Sequence, residues 1–157
     1  MKRLPRYRLC FVCGRDNSAG VDLQFYREGD RVVCEWTPEE KHLGYRDRAH
    51  GGVVASVLDE AMGWAPTGVL KRLCYTIEIS VKYRLPVPSG ERVRIEAECV
   101  GSPGRIARAA ARLIDSRGAI CVEATGVYFP LPAGKTEEIL PHLYLEGEAR
   151  GVTPEDL

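Results

Sequence analysis

Two neighbouring carboxylates, Asp59 and Glu60, lie in the middle of an apolar segment that begins with His50-Gly51-Gly52. Charged side chains are costly in apolar surroundings, so their presence there needs a reason. Apolar residues around them recur at three- and four-residue steps, which predicts a helix with one buried stripe: Val54, Val57, Leu58, Ala61 and Ala65. The first turn of a helix leaves N–H groups unpaired, and glycines there let a ligand approach closely. The segment therefore combines an anion-stabilising end with an acid or base at its centre.

Gly51 and Asp59 are too far apart to act on one carbonyl group within a single chain. Eight helical residues span about 12 Å. If two copies pack with these helices antiparallel across a two-fold axis, the N-terminus of one helix lies beside the middle of the other. The spacing therefore predicts a homodimer with two composite sites, alone or within a dimer of dimers.

This pair of groups suits the hydrolysis of a thioester. The helix N–H groups would stabilise an oxyanion, while a carboxylate from the other chain activates water or attacks the acyl carbon. A thiol has a pKa of about 8.5 and leaves readily as a thiolate, so a dedicated general acid is dispensable. The chain has no Gly-x-Ser-x-Gly motif, in agreement with chemistry that uses no serine triad.

The segments around the helix predict an α+β fold. Alternating polarity on both sides of Glu28-Gly29-Asp30 predicts a hairpin, and Pro66 predicts that the helix ends near Ala65. Four strand-like runs follow, at residues 74–84, 92–100, 105–114 and 119–129. Their short links favour an antiparallel meander, and the economical arrangement is one curved antiparallel sheet wrapped around the long central helix.

The first of these runs has the clearest alternation in the chain. Tyr75, Ile77, Ile79, Val81 and Tyr83 fall on one side, and Thr76, Glu78, Ser80 and Lys82 fall on the other. Three parts of the chain are then expected: an N-terminal segment with a Cys-x-x-Cys turn (1–20), the main domain (21–130), and a peripheral C-terminal tail (131–157).

An ordered set of motifs resembles the hot-dog-fold acyl-CoA thioesterases of the phenylacetate-pathway type. The set consists of His50-Gly51-Gly52, an acid nine residues after the histidine at Asp59, and Tyr83-Arg84-Leu85-Pro86 at the end of a strand. The likeness covers roughly residues 20 to 130. The run Cys10-Phe11-Val12-Cys13-Gly14 is similar to a bacterial branch of that superfamily.

The resemblance implies roles for particular residues. Gly51 would be the oxyanion donor, Asp59 the nucleophile or general base, and Thr76 a hydroxyl held near the water. Spacing alone does not choose between Asp59 and Glu60, which are about 100° apart on the helix; the family pattern favours Asp59. No cofactor is implied, because coenzyme A is part of the substrate.

One departure from the family concerns the loop before the helix. Some members have an Asn six residues before the histidine, where this chain has Gly44. His42, in the same loop, could supply a polar contact to substrate instead, with a solvated loop histidine as the alternative.

Further residues are candidates for substrate binding. His50 and Gly52 lie at the helix start, and an N-terminal cap is the alternative role for His50. Arg84 and Arg105, at strand ends, could contact the phosphates of coenzyme A.

Composition narrows the function classes. Lys+Arg 22 against Asp+Glu 22 gives no net charge, so we expect no nucleic-acid partner. No apolar run approaches a membrane span, and six dispersed cysteines do not resemble a secreted disulfide framework, so a cytoplasmic protein is expected. Cys10 and Cys13 have the spacing of half a zinc knuckle, but no second Cys or His pair follows, and we expect no metal site.

Three functions fit these observations. The first is hydrolysis of an acyl-CoA thioester to a carboxylate and free coenzyme A. The second is non-catalytic acyl-CoA binding by the same fold, motivated by the missing Asn. The third is hydration of an enoyl thioester, which is disfavoured because its usual Asp–His pair is not evident in the sequence.

Overall fold

The computed structural model describes all 157 residues and places one long helix against a seven-stranded antiparallel sheet. The helices are α1 (Gly51–Leu70) and α2 (Ala133–Ile139), with 3-10 turns at Glu40–His42, Leu140–His142 and Pro154–Asp156. The strands are β1 (Lys2–Arg3), β2 (Arg6–Tyr7), β3 (Tyr26–Glu28), β4 (Arg31–Trp36), β5 (Leu43–Tyr45), β6 (Arg48–Ala49), β7 (Cys74–Tyr83), β8 (Val93–Gly101), β9 (Ala107–Ile114), β10 (Ile120–Pro130) and β11 (Leu143–Tyr144). The large sheet has the order β1-β3-β4-β8-β9-β10-β7, and β5–β6 and β2–β11 form small separate pairs. The predicted α+β architecture is confirmed.

The N-terminal hairpin is also confirmed. Strands β3 and β4 pair antiparallel, with Glu28 opposite Arg31. Gly29 has a φ of +60°, a left-handed conformation that a side chain would make unfavourable. The hairpin continues the sheet through β4, which pairs with β8.

The strand order differs from the predicted meander at one link. Strand β7 pairs with β10 at the sheet edge and not with β8, so only β8, β9 and β10 form a meander. The nine residues from Arg84 to Arg92 can span up to about 30 Å, whereas three strand spacings need about 14 Å. Within this link, the Val87 carbonyl accepts a hydrogen bond from the Ala49 N–H at 3.0 Å. The link is therefore a crossover held by the segment before α1, and not a tight turn.

Helix α1 also continues beyond its predicted end. It passes through Pro66 and ends at Leu70, where Lys71 adopts a left-handed conformation. The side chain of Thr67 donates to the Gly63 carbonyl at 2.8 Å, and the side chains of Trp64 and Ala65 are buried. Packing of this last turn outweighs the local preference of the residue before a proline to leave the helical conformation.

The C-terminal segment packs against the core of the domain, although the sequence predicted a peripheral tail. Leu140, Leu145, Val152 and Leu157 are buried in the same apolar cluster as the helix and sheet. Strand β11 pairs with β2, which joins this segment to the N-terminus. The boundaries at residues 20 and 130 stay a prediction.

Neither helix combines the length and the apolar character required to cross a membrane.

Candidate active site

The carboxylate of Asp59 lies between two hydroxyl groups of the sheet. The Thr76 hydroxyl on β7 donates to its two oxygens at 3.0 and 3.2 Å, and the Tyr128 hydroxyl on β10 donates to Oδ1 at 2.9 Å. Tyr128 is completely buried, and this burial, together with the nearby carboxylate, raises the pKa of its hydroxyl. Tyr128 therefore keeps its proton at neutral pH and fixes one side of the carboxylate.

A β-bulge places Thr76 beside the helix. The register between β7 and β10 shifts so that Val127 faces Glu78 while Tyr128 faces Thr76, which leaves Ile77 as the extra residue. Strict alternation places Thr76 on the side opposite Ile79 and Val81, which pack against the core. The bulge reverses that alternation, so Thr76 reaches Asp59.

Gly126 makes room for the Tyr128 ring. A Cβ at Gly126 would lie 2.5 Å from Tyr128 Cε2 and 2.7 Å from its hydroxyl oxygen. Such distances are far below van der Waals contact. The absence of a side chain at position 126 therefore lets the tyrosine lie along the strand and reach α1.

The N-terminus of α1 leaves the Gly51 N–H available as a backbone donor. The His50 side chain acts as the N-cap, because its Nδ1 accepts the Gly52 N–H at 2.9 Å. Tyr83 on β7 donates to the Gly51 carbonyl at 2.5 Å, while the Gly51 N–H has no hydrogen-bond acceptor in the chain. The Gly51 N–H is therefore free to bind an anion, whereas the Gly52 N–H is already paired.

An open cleft of about 530 Å³ lies beside this helix terminus. Its lining includes His50, Gly51, Tyr83 and Arg84. Asp59 and Thr76 do not line it, in keeping with the two turns of helix between Gly51 and Asp59. The two halves of the predicted site are thus separate within one chain.

The loop before α1 differs from what the sequence predicted. His42 is only 3% exposed and packs edge-on against Trp36, with ring centroids 5.6 Å apart. Its Nδ1 accepts the Glu39 N–H at 2.9 Å, and burial lowers its pKa. His42 therefore supports the loop from inside and does not reach the cleft.

The glycine at position 44 has a steric reason. A Cβ at Gly44 would lie 2.9 Å from the Cα of His50. Any side chain there would push the loop away from the helix cap. The close contact between Gly44 and His50 therefore leaves no room for the Asn side chain that the family resemblance would place at position 44.

The two candidate phosphate ligands lie at opposite ends of the sheet. Arg84 follows Tyr83, which pairs with Val122, and donates to Glu123 at 2.9 Å. Arg105 is exposed in the turn before β9, where Ala107 faces Tyr128. The seven residue steps from Thr76 to Tyr83 span about 23 Å. One chain therefore does not bring both arginines to the same phosphate.

The outer face of the sheet has a second concavity, of about 440 Å³. Its lining contains Arg31, Lys82, Arg84 and Arg112, but also Glu96, Glu98 and Glu123. Arg112 is paired with Glu96 at 2.8 Å and Arg84 with Glu123 at 2.9 Å. Because these charges compensate one another, this concavity is not a strong anion site.

Glu60 points away from Asp59 and contacts the N-terminal segment. Its carboxylate accepts hydrogen bonds from the Cys10 thiol at 3.6 Å and from Trp64 Nε1 at 3.2 Å. Burial, and then the charge of Cys10, raise the pKa of Glu60 to about 7. The structure thus gives the two adjacent carboxylates separate surroundings.

Sequence reasoning missed Tyr128 and Gly126. Tyr128 is one of several aromatic residues in strand-like runs, and its pattern matches a core position equally well. The only available signal was Gly126, two residues before Tyr128 in the same strand-like run. A glycine inside a strand can mark a place where another group approaches the backbone closely. The partner of that aromatic is decided by the register of β10 against β7.

Comparisons with known proteins agree with this architecture. A family described as the thioesterase superfamily matches residues 47–122, which contain α1 and β7 to β9. The matched 76 residues are just under half of the 157-residue chain, so the match is a similarity to this family over the long helix and the strands that follow it. The arrangement of one long helix against an antiparallel sheet is the hot-dog fold. The sequence has no significant match among curated proteins.

Several crystal structures share this fold. One thioesterase superfamily protein superposes with a TM-score of 0.71 at 23% identity; the match covers 78% of this chain but only 60% of that protein. Zebrafish thioesterase superfamily member 2 gives 0.65 at 20% identity, covering 73% and 89% of the two chains. A Streptococcus mutans protein bound to acetyl CoA gives 0.62 at 20% identity, covering 69% and 88%. These similarities concern the fold.

Proposed function

We propose that this protein hydrolyses an acyl-CoA thioester to a carboxylate and free coenzyme A. The observation that carries the proposal is the Asp59 carboxylate, held by the Thr76 and Tyr128 hydroxyls in the middle of an apolar helix. A carboxylate held in this way is positioned to act as a general base. The related fold with acetyl CoA bound supports a coenzyme A thioester as the substrate class.

In the proposed reaction, Asp59 removes a proton from water as the water attacks the thioester carbonyl. The free N–H of Gly51 in a second chain stabilises the resulting oxyanion. The tetrahedral intermediate then collapses and releases coenzyme A as a thiolate, which needs no general acid. Thr76 and Tyr128 orient the carboxylate throughout.

A second copy of the chain is part of this proposal. Strand β7 is an edge strand of ten residues, and it exposes Tyr75, Ile77 and Tyr83. A long, exposed apolar edge favours pairing with another strand. A two-fold dimer with antiparallel α1 helices would bring Gly51 of one chain to Asp59 of the other. Arg84 and Arg105 from different chains would then lie closer together than they do in one chain.

The experiment that tests the activity measures thiol release from a panel of aliphatic and aryl acyl-CoAs. We expect Asp59→Asn to lower kcat by about 10²- to 10⁴-fold, because an amide cannot accept the proton. Asp30→Asn, at the exposed hairpin turn, is the matched control and should retain full activity. Full activity of the Asp59 variant would refute the role of this carboxylate.

The same panel distinguishes the alternatives. Thermal stabilisation by an acyl-CoA with no turnover would indicate the non-catalytic binding function, which the absence of a side chain at Gly44 motivates. Loss of enoyl-CoA absorbance without thiol release would indicate hydration.

A single turnover in heavy-oxygen water separates general-base from nucleophilic catalysis, because direct attack places the label in Asp59 rather than in the product.

A further inference from the structure

Three metal-ligating side chains converge at a point that the proposed hydrolysis does not use. Cys10 and Cys13 belong to the N-terminal segment, and Glu60 belongs to α1. Their ligand atoms all lie within 4.8 Å of one another. We propose that they form a binding site for a thiophilic divalent metal ion, with zinc as the favoured ion, that ties the N-terminal segment to α1.

The distance between Cys10 Sγ and Glu60 Oε2 fits two ligands of a tetrahedral metal ion. A zinc ion with bonds of about 2.3 Å to sulfur and about 2.1 Å to oxygen separates these two ligand atoms by about 3.6 Å. The observed distance from Cys10 Sγ to Glu60 Oε2 is 3.6 Å. An ion can therefore replace the proton between these two atoms with little movement of the backbone.

The turn that carries the cysteines is shaped to hold a thiolate. Two backbone N–H groups, of Val12 and Cys13, point at Cys10 Sγ at 3.3 and 3.5 Å. Gly14 closes the turn, and a Cβ there would lie 2.3 Å from the Cys10 carbonyl oxygen. Backbone N–H groups directed at sulfur favour its ionised form, which is the form that binds metal.

The charges around Glu60 leave a place for a cation. No Lys, Arg or His nitrogen lies within 4.0 Å of its carboxylate. Arg6 donates to the Cys13 carbonyl at 2.6 Å, but its other guanidinium nitrogens pair with Asp22 and Glu146. A divalent ion would supply the positive charge that two thiolates and a partly buried carboxylate require.

A second interaction orients the carboxylate. Trp64 Nε1 donates to Glu60 Oε1 at 3.2 Å, which leaves Oε2 directed at Cys10. Such outer hydrogen bonds are a regular part of metal sites. Cys13 is buried, whereas Cys10 and Glu60 are partly exposed, so the cluster lies at the edge of the core.

The distance along the chain explains why the sequence did not predict this site. A search for zinc ligands follows the Cys-x-x-Cys pair with a second pair of Cys or His residues. Here the third ligand is a single glutamate on a helix, 47 positions after Cys13. The fold, and not the spacing, brings it to the cysteines.

Metal content tests the proposal without reference to activity. The full chain, purified under reducing conditions, is dialysed and analysed by mass spectrometry for bound metal. It is then stripped with a chelator and titrated with Co²⁺. We expect one equivalent of zinc per chain, and a thiolate-to-cobalt charge-transfer band that saturates at one equivalent.

Matched variants locate the site. Cys10→Ser and Cys13→Ser should abolish the charge-transfer band or halve its intensity, and Glu60→Gln should weaken Co²⁺ binding, while Cys99→Ser and Glu98→Gln leave both unchanged. Trp64→Phe should weaken binding about 10- to 100-fold. Trp36→Phe is its control, because the Trp36 indole N–H is buried without a hydrogen-bond partner and the Trp36 ring packs against His42.

Two outcomes would overturn the proposal. One is a chain that circular dichroism shows to be folded but that binds neither zinc nor Co²⁺ at stoichiometric concentration. The other is Co²⁺ binding that is unchanged in all three ligand variants. Rapid formation of a Cys10–Cys13 disulfide by glutathione disulfide, in protein that binds no metal, would identify the pair as a redox couple instead. Failure of thioesterase activity would not affect any of these results.

Discussion

At the scale of single residues, the neighbours of two adjacent acids separate their functions. Asp59 and Glu60 differ by one position, but the first accepts hydrogen bonds from sheet hydroxyls and the second from a thiol and an indole. Residues about 100° apart on a helix face different partners when both sides of the helix are covered. The two neighbouring carboxylates seen in the sequence therefore lie in two different environments.

The hydroxyl groups that hold Asp59 give a prediction at this scale. Tyr128→Phe and Thr76→Val each remove one donor while nearly preserving shape. We expect each to lower kcat about 10-fold with little change in KM, since the donors orient the carboxylate and do not bind substrate. Tyr128→Phe should also lower the free energy of unfolding by about 1 kcal/mol, because its hydroxyl is buried.

Steady-state kinetics and urea unfolding measure both effects. Tyr26→Phe is the control, because Tyr26 is partly buried in β3 and has no side-chain hydrogen bond. If Tyr128→Phe raised KM and left kcat unchanged, its hydroxyl would contact the substrate and not position Asp59.

At the scale of elements, irregularities in two strands build the site. The bulge at Ile77 turns Thr76 toward α1, and Gly126 lets the Tyr128 ring lie along β10. Bulges commonly lie beside functional sites because they redirect a single side chain without disturbing the rest of the sheet. Regular strands would leave Asp59 without one of its two donors.

Gly126→Ala tests this account of β10. The new methyl group would overlap the Tyr128 ring, so the ring must move and its hydrogen bond to Asp59 must lengthen or break. We expect a loss of about 1–3 kcal/mol in the free energy of unfolding and a fall in kcat at least as large as that of Tyr128→Phe.

Thermal unfolding and kinetics of the same samples provide the measurement. Gly134→Ala is the matched control, because a Cβ there would meet no atom within 4 Å and alanine favours a helix. Unchanged activity together with wild-type stability would show that Tyr128 tolerates displacement.

At the scale of the whole molecule, the proposed site is complete only if two chains associate. Gly51 and Asp59 remain about 12 Å apart along one helix, and the cleft at the helix terminus does not contain Asp59. The edge of β7 offers a surface for a second chain. Under the proposed mechanism, catalysis therefore requires oligomerisation.

A mixing experiment tests the composite site. Gly51→Pro removes the N–H at the first helical position, where proline is tolerated, and His50 already has the extended conformation that precedes proline. Mixed with Asp59→Asn, it should restore about a quarter of the wild-type sites after random exchange. Gly51→Ala, which keeps the N–H, is the control and should remain active alone.

Subunit exchange is followed by mass spectrometry of isotopically labelled chains. Demonstrated exchange with no recovery of thiol release would contradict sites shared between subunits. Recovery that rises and falls with the fraction of mixed dimers would support them.

The two chain ends form a second feature of the whole molecule. Asp156 is buried and accepts hydrogen bonds from Arg150 at 2.6 and 2.9 Å and from the Thr153 N–H at 3.0 Å. Lys2 lies 3.7 Å from the same carboxylate. The Arg150 guanidinium holds the pKa of Asp156 well below its usual 3.8.

Asp156→Asn should therefore destabilise the protein in a pH-dependent way. A carboxylate whose pKa is lowered by folding contributes stability above its unfolded pKa and loses it as the pH falls toward its folded pKa. We expect a loss of about 2 kcal/mol at neutral pH that shrinks from about pH 4 downward. Urea unfolding across this range measures it, with Asp30→Asn as the control. A constant difference at all pH values would show that the charge of Asp156 is not responsible.

The sequence by itself determined most of the secondary structure elements and the candidate residues on them. The three-to-four-residue period of α1, the alternation of the strands and the glycines at the helix start are local patterns, and each predicts a local structure. They were sufficient for the α+β architecture, the β3–β4 hairpin and the candidate set of Gly51, Asp59 and Glu60, while the preference for Asp59 and the choice of Thr76 came from the resemblance to a known family. The distance between Gly51 and Asp59 along one helix, which also follows from the sequence, led to the prediction of a dimer.

Only the tertiary structure decided how distant residues meet. The pairing of β7 with β10, the bulge at Ile77 and the reach of Tyr128 depend on register, which no local pattern encodes. Helix α1 passes through Pro66 because packing outweighs local preference, and His42 turns inward because Trp36 covers it. The approach of Glu60 to Cys10 is of the same kind: two segments 50 residues apart are brought together by burial of the apolar residues between them.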